Sequence, residues 1–152
     1  RIGKKGEPIL FKDTSILGIG KSNLIKEGEE FLILVIGPII NEAICAAIEL
    51  EKVGIKVAVA NIGSIRPLDN LFLKNMLDKK FKNWITLEEH GIVGGLGSVI
   101  LEWASDNESL NSINLKRIAV KNEFIHKLGN QSYSRKISGL DCESIIKFIK
   151  KL

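Results

Sequence analysis

Methionine occurs once, at Met76, and the chain opens on Arg1. Lacking an initiating methionine, it is expected to be cut from a longer polypeptide. Cysteine is equally scarce. Cys45 and Cys142 are too few for the disulfide framework of a small secreted domain. Both fall on the apolar sides of expected helices and read as small buried hydrophobes, which places the chain in a reducing, cytoplasmic compartment. The two histidines, His90 and His126, stand alone, and no closely spaced cysteines accompany them, so no metal-site spacing exists. His126 reads as a surface or half-buried residue. A Gly-x-Ser-x-Gly elbow is missing, which excludes the common hydrolase arrangement. No apolar run approaches the roughly 20 residues of a membrane span, and no apolar stretch of a signal peptide follows the basic N-terminus.

What is present is an ordinary globular balance. Apolar residues make up 45% and charged residues 26% of 152 positions, enough for one domain with its own core. The net charge of +4 raises the question of nucleic acid. The lysines argue against it. They are scattered, and the clusters Lys79-Lys80 and Lys147 to Lys151 sit at expected helix ends, where they complement the helix dipole. Arginine, the better reader of phosphates and bases, is scarce beside lysine.

Residues 1–30 are irregular, with a short apolar Ile9-Leu10-Phe11 and an expected edge strand over Ser22 to Lys26. Phe31 to Ile36 is continuously apolar and stops at Gly37-Pro38, the pattern of a strand buried on both faces. The period then changes. Ile40, Ala43, Ile44, Ala47 and Ile48 form a helical stripe, with Asn41 as expected N-cap and Gly54 as left-handed terminator. Lys56 to Ile62 reads as the next strand, completing a βαβ unit. Asp69 is expected to cap a helix over Leu71 to Leu77. Trp84 to Leu87 reads as a third core strand, Gly91 to Gly97 as a glycine-rich loop, and Val99, Ile100 and Trp103 as the next helix. Leu115 to Val120 is an expected strand, and Asp141 is the expected cap of a closing helix carrying Ile145, Ile146 and Ile149. Alternating strands and helices predict a parallel sheet with helices on both faces. Ligands and partners of such sheets gather at the carboxyl ends of the strands.

The densest polar feature lies at such an end. Glu88-Glu89-His90 runs into Gly91-Ile92-Val93-Gly94-Gly95-Leu96-Gly97-Ser98. Amide groups at a helix start can hold an anion that glycine allows to come close, with His90 as donor or proton carrier. A tight strand-to-helix turn explains the same glycines. The spacing is neither a dinucleotide fingerprint nor a phosphate-binding P-loop. Glu88 and Glu89 are neighbours on one strand and point to opposite faces, so they do not form a dyad. Arg66, before Pro67 and Asp69, is a candidate clamp for an anion or a partner carboxylate. The candidate anion- or partner-binding residues are therefore His90, Glu89, Gly94, Gly95, Gly97 and Arg66.

Ile65-Arg66-Pro67-Leu68-Asp69, then Thr86 through Ser98, then Gly139-Leu140-Asp141 with Ile145, together resemble the C-terminal domain of transketolases. That family typically reads I-K-P-L-D, V-E-E-H-x-x-x-G-G-L-G-S and G-L-x-x-x-x-I in this order. Arg1 through Pro8 also resembles the family's exit from its preceding pyrimidine-binding domain. His90 and the pair Gly94-Gly95 are closer to transketolases than to two relatives of the same layout, the deoxyxylulose-phosphate synthases and the β-subunits of 2-oxoacid dehydrogenases. Gly129 to Ser138 departs from the family pattern.

The resemblance implies a three-layer α/β/α fold with a five-stranded, mostly parallel sheet and one antiparallel edge strand. Residues 1–28 would be the linker from a preceding domain plus that edge strand, and 29–152 the C-terminal domain. It implies a parent enzyme that moves a two-carbon ketol unit between sugar phosphates, in the cytoplasm and as a homodimer. Thiamine diphosphate and Mg²⁺ would be bound by its N-terminal and pyrimidine-binding domains. The family's Gly-Asp-Gly diphosphate motif does not occur here. No catalytic residue, metal ligand or cofactor contact is therefore carried over to this chain, which is expected to serve structure and assembly. An independent α/β module that binds a small phosphorylated ligand is the reading from another class.

Overall fold

The computed structural model describes residues 18–124, 126 and 128–152. The readings of Ile9-Leu10-Phe11 and of Arg1 through Pro8 lie outside them. In chain order the elements are β1 (Ser22–Lys26), β2 (Phe31–Ile36), α1 (Ile40–Glu51), β3 (Val57–Ile62), α2 (Asn70–Asp78), β4 (Asn83–Gly91), α3 (Leu96–Asp106), β5 (Asn114–Val120), α4 (Gln131–Ile137) and α5 (Cys142–Ile149). The five strands make one sheet in the order β1-β3-β2-β4-β5. β1 runs antiparallel to β3, and every other pairing is parallel.

The apolar run of β2 explains the layering. Its side chains alternate between faces. Phe31, Ile33 and Val35 enter one core with α1 and α5, while Leu32 and Leu34 enter another with α2 and α3. Both faces of the central strands are thus covered, as the sequence of β2 requires. The second core is built around Trp84 and Trp103, stacked with ring centroids 6.1 Å apart. The Trp84 indole N–H donates to the Phe81 carbonyl at 3.1 Å, so the buried ring leaves no unpaired donor.

Several expectations need correction. α1 begins with Ile39 at the N-cap position and no side-chain cap; Asn41 lies inside the first turn. The buried stripe is Ile40, Ala43, Ala46, Ala47 and Leu50, and Ile48 is 46% exposed. α1 touches both the sheet and α5, so its contact face is broader than one stripe and turned toward Ala46. Its three small residues let α5 come close. α4 is an element the periodicity did not predict, because its one buried residue is a charged one, Arg135.

The two cysteines also behave differently from expectation. Cys45 is exposed and Cys142 half-buried. They are joined as a disulfide between α1 and the first residue of α5, with Cα atoms 5.9 Å apart. They lie 97 positions apart in the sequence, and sequence spacing says nothing about a contact at that range. The inference from separate thiols to a reducing compartment therefore falls away.

Asp69 does cap α2: its carboxylate accepts from the Phe72 N–H at 3.0 Å and from the Ser22 N–H at 2.8 Å. One side chain thereby starts a helix and anchors the edge strand.

Candidate functional site at the strand ends

β4 extends four residues beyond Leu87, so that Glu88, Glu89 and His90 are part of the strand. Its pairing with β5 slips there: Leu87 faces Ile118, but Gly91 faces Val120. Four residues on β4 are matched by two on β5. A bulge of this kind re-aims side chains at the end of a sheet.

The two glutamates take opposite faces. Glu88 is buried, 1% exposed, and turns toward α3. Its carboxylate accepts the Leu96 N–H at 2.7 Å and the Gly97 N–H at 2.9 Å. These are the first free amides of α3, where the helix dipole favours negative charge. The helix start thus binds a carboxylate, and it is the chain's own. The glycines serve that contact. A Cβ added at Gly95 would collide with the Glu88 carboxylate. Gly94 has φ +76°, a conformation that suits glycine. Its N–H donates to the Ser98 hydroxyl at 3.0 Å. The Ile92 N–H donates to the Val120 carbonyl and the Ile92 carbonyl accepts from the Arg117 guanidinium. The loop is therefore pinned to β5 on one side and to α3 on the other.

Glu89 leaves the opposite face. It accepts from Arg135 Nε at 2.7 Å and from Gln131 Nε2 at 3.3 Å. The Arg135 Nη1 donates to Glu42 Oε1 at 3.4 Å, and the other oxygen of Glu42 accepts the Cys142 N–H at 2.9 Å. One chain of polar contacts thus joins the end of β4, α4, α1 and the start of α5. Sequence reasoning missed Arg135 and Glu42. Arg135 lies in the stretch that departs from the family pattern, and Glu42 lies off the apolar stripe of α1.

His90 is exposed, and its Nδ1 lies 3.0 Å from the Gly91 carbonyl. Arg66 is exposed in the connection between β3 and α2. β3 and β4 are separated by β2, so Arg66 and His90 share the carboxyl edge of the sheet but follow strands that are not neighbours. Next to the end of β5, Val120, Lys121, Phe124, His126 and Ile137 line a hollow of about 290 Å³. Five lysines elsewhere pair with glutamates: Lys26 with Glu51, Lys52 with Glu49, Lys56 with Glu29, Lys79 with Glu27 and Lys147 with Glu143.

The class so defined is a three-layer α/β/α domain whose strand-end loop closes on an internal carboxylate. The model of the transketolase C-terminal domain family matches residues 20–145, and the chain belongs to that family. Over 143 residues it is 36% identical to 1-deoxy-D-xylulose-5-phosphate synthase of Halothermothrix orenii, covering 94% of this chain and 22% of that protein. It is 32% identical over 146 residues to an apulose-4-phosphate transketolase subunit of Actinobacillus succinogenes, covering 96% and 46% respectively. Among solved structures, a split-gene transketolase described as an inactive β4 tetramer superposes with a TM-score of 0.81 at 27% identity, covering 96% of this chain and 45% of that one. The chain therefore spans about a fifth to just under half of the proteins it matches. No helix among the described residues is long and apolar enough to cross a membrane.

Proposed function

We propose that this chain is the C-terminal assembly domain of a transketolase-type enzyme and performs no chemistry by itself. The full enzyme transfers a two-carbon ketol unit between sugar phosphates, in the pentose phosphate part of cytoplasmic carbohydrate metabolism. Thiamine diphosphate supplies the carbanion that carries the unit. The residues of this chain do not fit that cofactor. Glu88 already holds the α3 amides that would cradle a diphosphate. Among the described residues no three His, Cys, Asp or Glu side chains converge as a metal site. The cofactor and Mg²⁺ belong to the N-terminal and pyrimidine-binding domains, which residues 1–28 join to the domain at 29–152. The observation that carries the reading is the match over residues 20–145 together with an amide cradle filled from within.

The strand-end face is then a docking surface for those domains in a homodimeric parent. His90, Glu89 and Arg66 present polar groups there, and Gly94, Gly95 and Gly97 set the shape of the loop. Because Glu88 competes for the amides, a partner loop fits this face better than a free anion. Mixing the chain with the polypeptide that carries the cofactor-binding domains tests the reading. Ketol transfer is expected only in the mixture, and His90→Ala is expected to weaken assembly. Saturable binding of thiamine diphosphate with Mg²⁺ to the chain alone would overturn the proposal; unchanged assembly of His90→Ala would overturn the docking role. The 36% identity to a deoxyxylulose-phosphate synthase favours one second reading, in which the same mixture makes deoxyxylulose phosphate instead.

A further inference from the structure

α1 holds the first residue of α5 at two points. Glu42 accepts the Cys142 N–H, and Cys45, one helical turn further on, is bonded to the Cys142 sulfur. Glu42 also meets Arg135, which pairs with Glu89 at the end of β4. The covalent link therefore sits at one end of a polar chain whose other end is the strand-end face. Cys45 is exposed, so a small thiol or disulfide can reach its sulfur. In a cytoplasmic protein, disulfides are usually transient and redox-sensing rather than permanent.

We propose that Cys45–Cys142 is a reversible redox clasp that sets how firmly α4 and α5 are held against α1 and the end of β4. The inference rests on the cytoplasmic setting proposed for the parent enzyme. Closing the clasp needs a small-molecule disulfide as oxidant, such as oxidised glutathione. The Cys45 thiolate attacks one sulfur of that disulfide, breaking its S–S bond and releasing one thiolate. The Cys142 thiolate then attacks the Cys45 sulfur, forming the internal bond and releasing the second thiolate. Two protein thiols are oxidised, one small disulfide is reduced to two thiols, and the two protons pass to the leaving thiolates. Reduced glutathione or a dithiol reverses both steps. When the bond opens, the Cys142 N–H contact to Glu42 and the apolar packing of Ile145 and Ile149 remain. The domain stays folded while α5 and α4 loosen.

The test equilibrates the whole chain with oxidised and then with millimolar reduced glutathione. Titratable thiols should fall from two to none and return to two, with a Cys45–Cys142 linked peptide in the oxidised digest. The oxidised form should melt roughly 5–10 °C higher, the order expected for closing a long loop. Amide exchange over residues 130–149 should slow on oxidation, while exchange in α2 and α3 stays the same. Cys142→Ser, which keeps the exposed Cys45, should take up one glutathione and show neither shift. Two thiols that never pair, a bond that millimolar reduced glutathione cannot open, or identical exchange in both forms would each overturn the clasp. None of these results bears on ketol transfer by the assembled enzyme, so the two proposals fail separately.

Discussion

The two faces of the sheet solve the same problem with different materials. On the α2–α3 face, large rings and aliphatic chains fill the space: Trp84, Trp103, Leu73, Met76, Leu96 and Ile100. Its one buried charge, Glu88, is bound to backbone amides. On the α1–α5 face, small residues, Ala43, Ala46 and Ala47, bring two helices together. Polar and covalent ties then hold the layer: the disulfide, Glu42, and Arg135 with Glu89. The first face depends on packing that cannot be undone in steps. The second depends on contacts that ionisation, reduction or a partner can loosen one at a time.

Substitutions can break or sharpen this contrast. The largest effect is expected for Trp84→Ala, which removes a buried ring and its stacking partner's support; denaturant unfolding should show a loss of about 3–5 kcal/mol. Glu88→Ala should come next, at about 2–4 kcal/mol, because it leaves the Leu96 and Gly97 amides buried without a partner. Exchange of those two amides should accelerate in that variant. On the other face, a double-mutant cycle between Arg135→Ala and Glu89→Ala should return a coupling of only about 1 kcal/mol.

The smallest effect concerns the exposed pair Glu143–Lys147 on α5, 2.6 Å apart. The hydrogen bond from Lys147, and then its charge, hold the Glu143 carboxyl below the ordinary carboxylate range. A depressed folded-state pKa gives a contribution that is present above the unfolded value and is lost as pH falls through the folded one. In Lys147→Ala, NMR titration should therefore find Glu143 moved upward, with the melting temperature at neutral pH unchanged within error.

The legibility of each part in the sequence follows from how local its cause is. β2 could be read from six consecutive apolar residues, and the opposite faces of Glu88 and Glu89 from strand alternation alone. Asp69 was legible as a cap because the amide it serves is three residues away. α4 was not, since its helix has no apolar stripe and its anchor, Arg135, finds its partners 46 and 93 positions away. The cysteine pair failed for the same reason. The glycine loop was ambiguous because an external anion and an internal carboxylate ask for the same glycines. Glu88 decides between them at a separation of eight and nine residues, through a strand end that only the folded sheet brings to the helix.

Among the described residues, β5 pairs with β4 on one side and with no strand on the other. A bare strand edge is a template on which a second chain can add itself without limit. Lys116 and Arg117 stand on this short strand, and Arg117 is exposed. Charge at that position makes stacking of like edges repulsive.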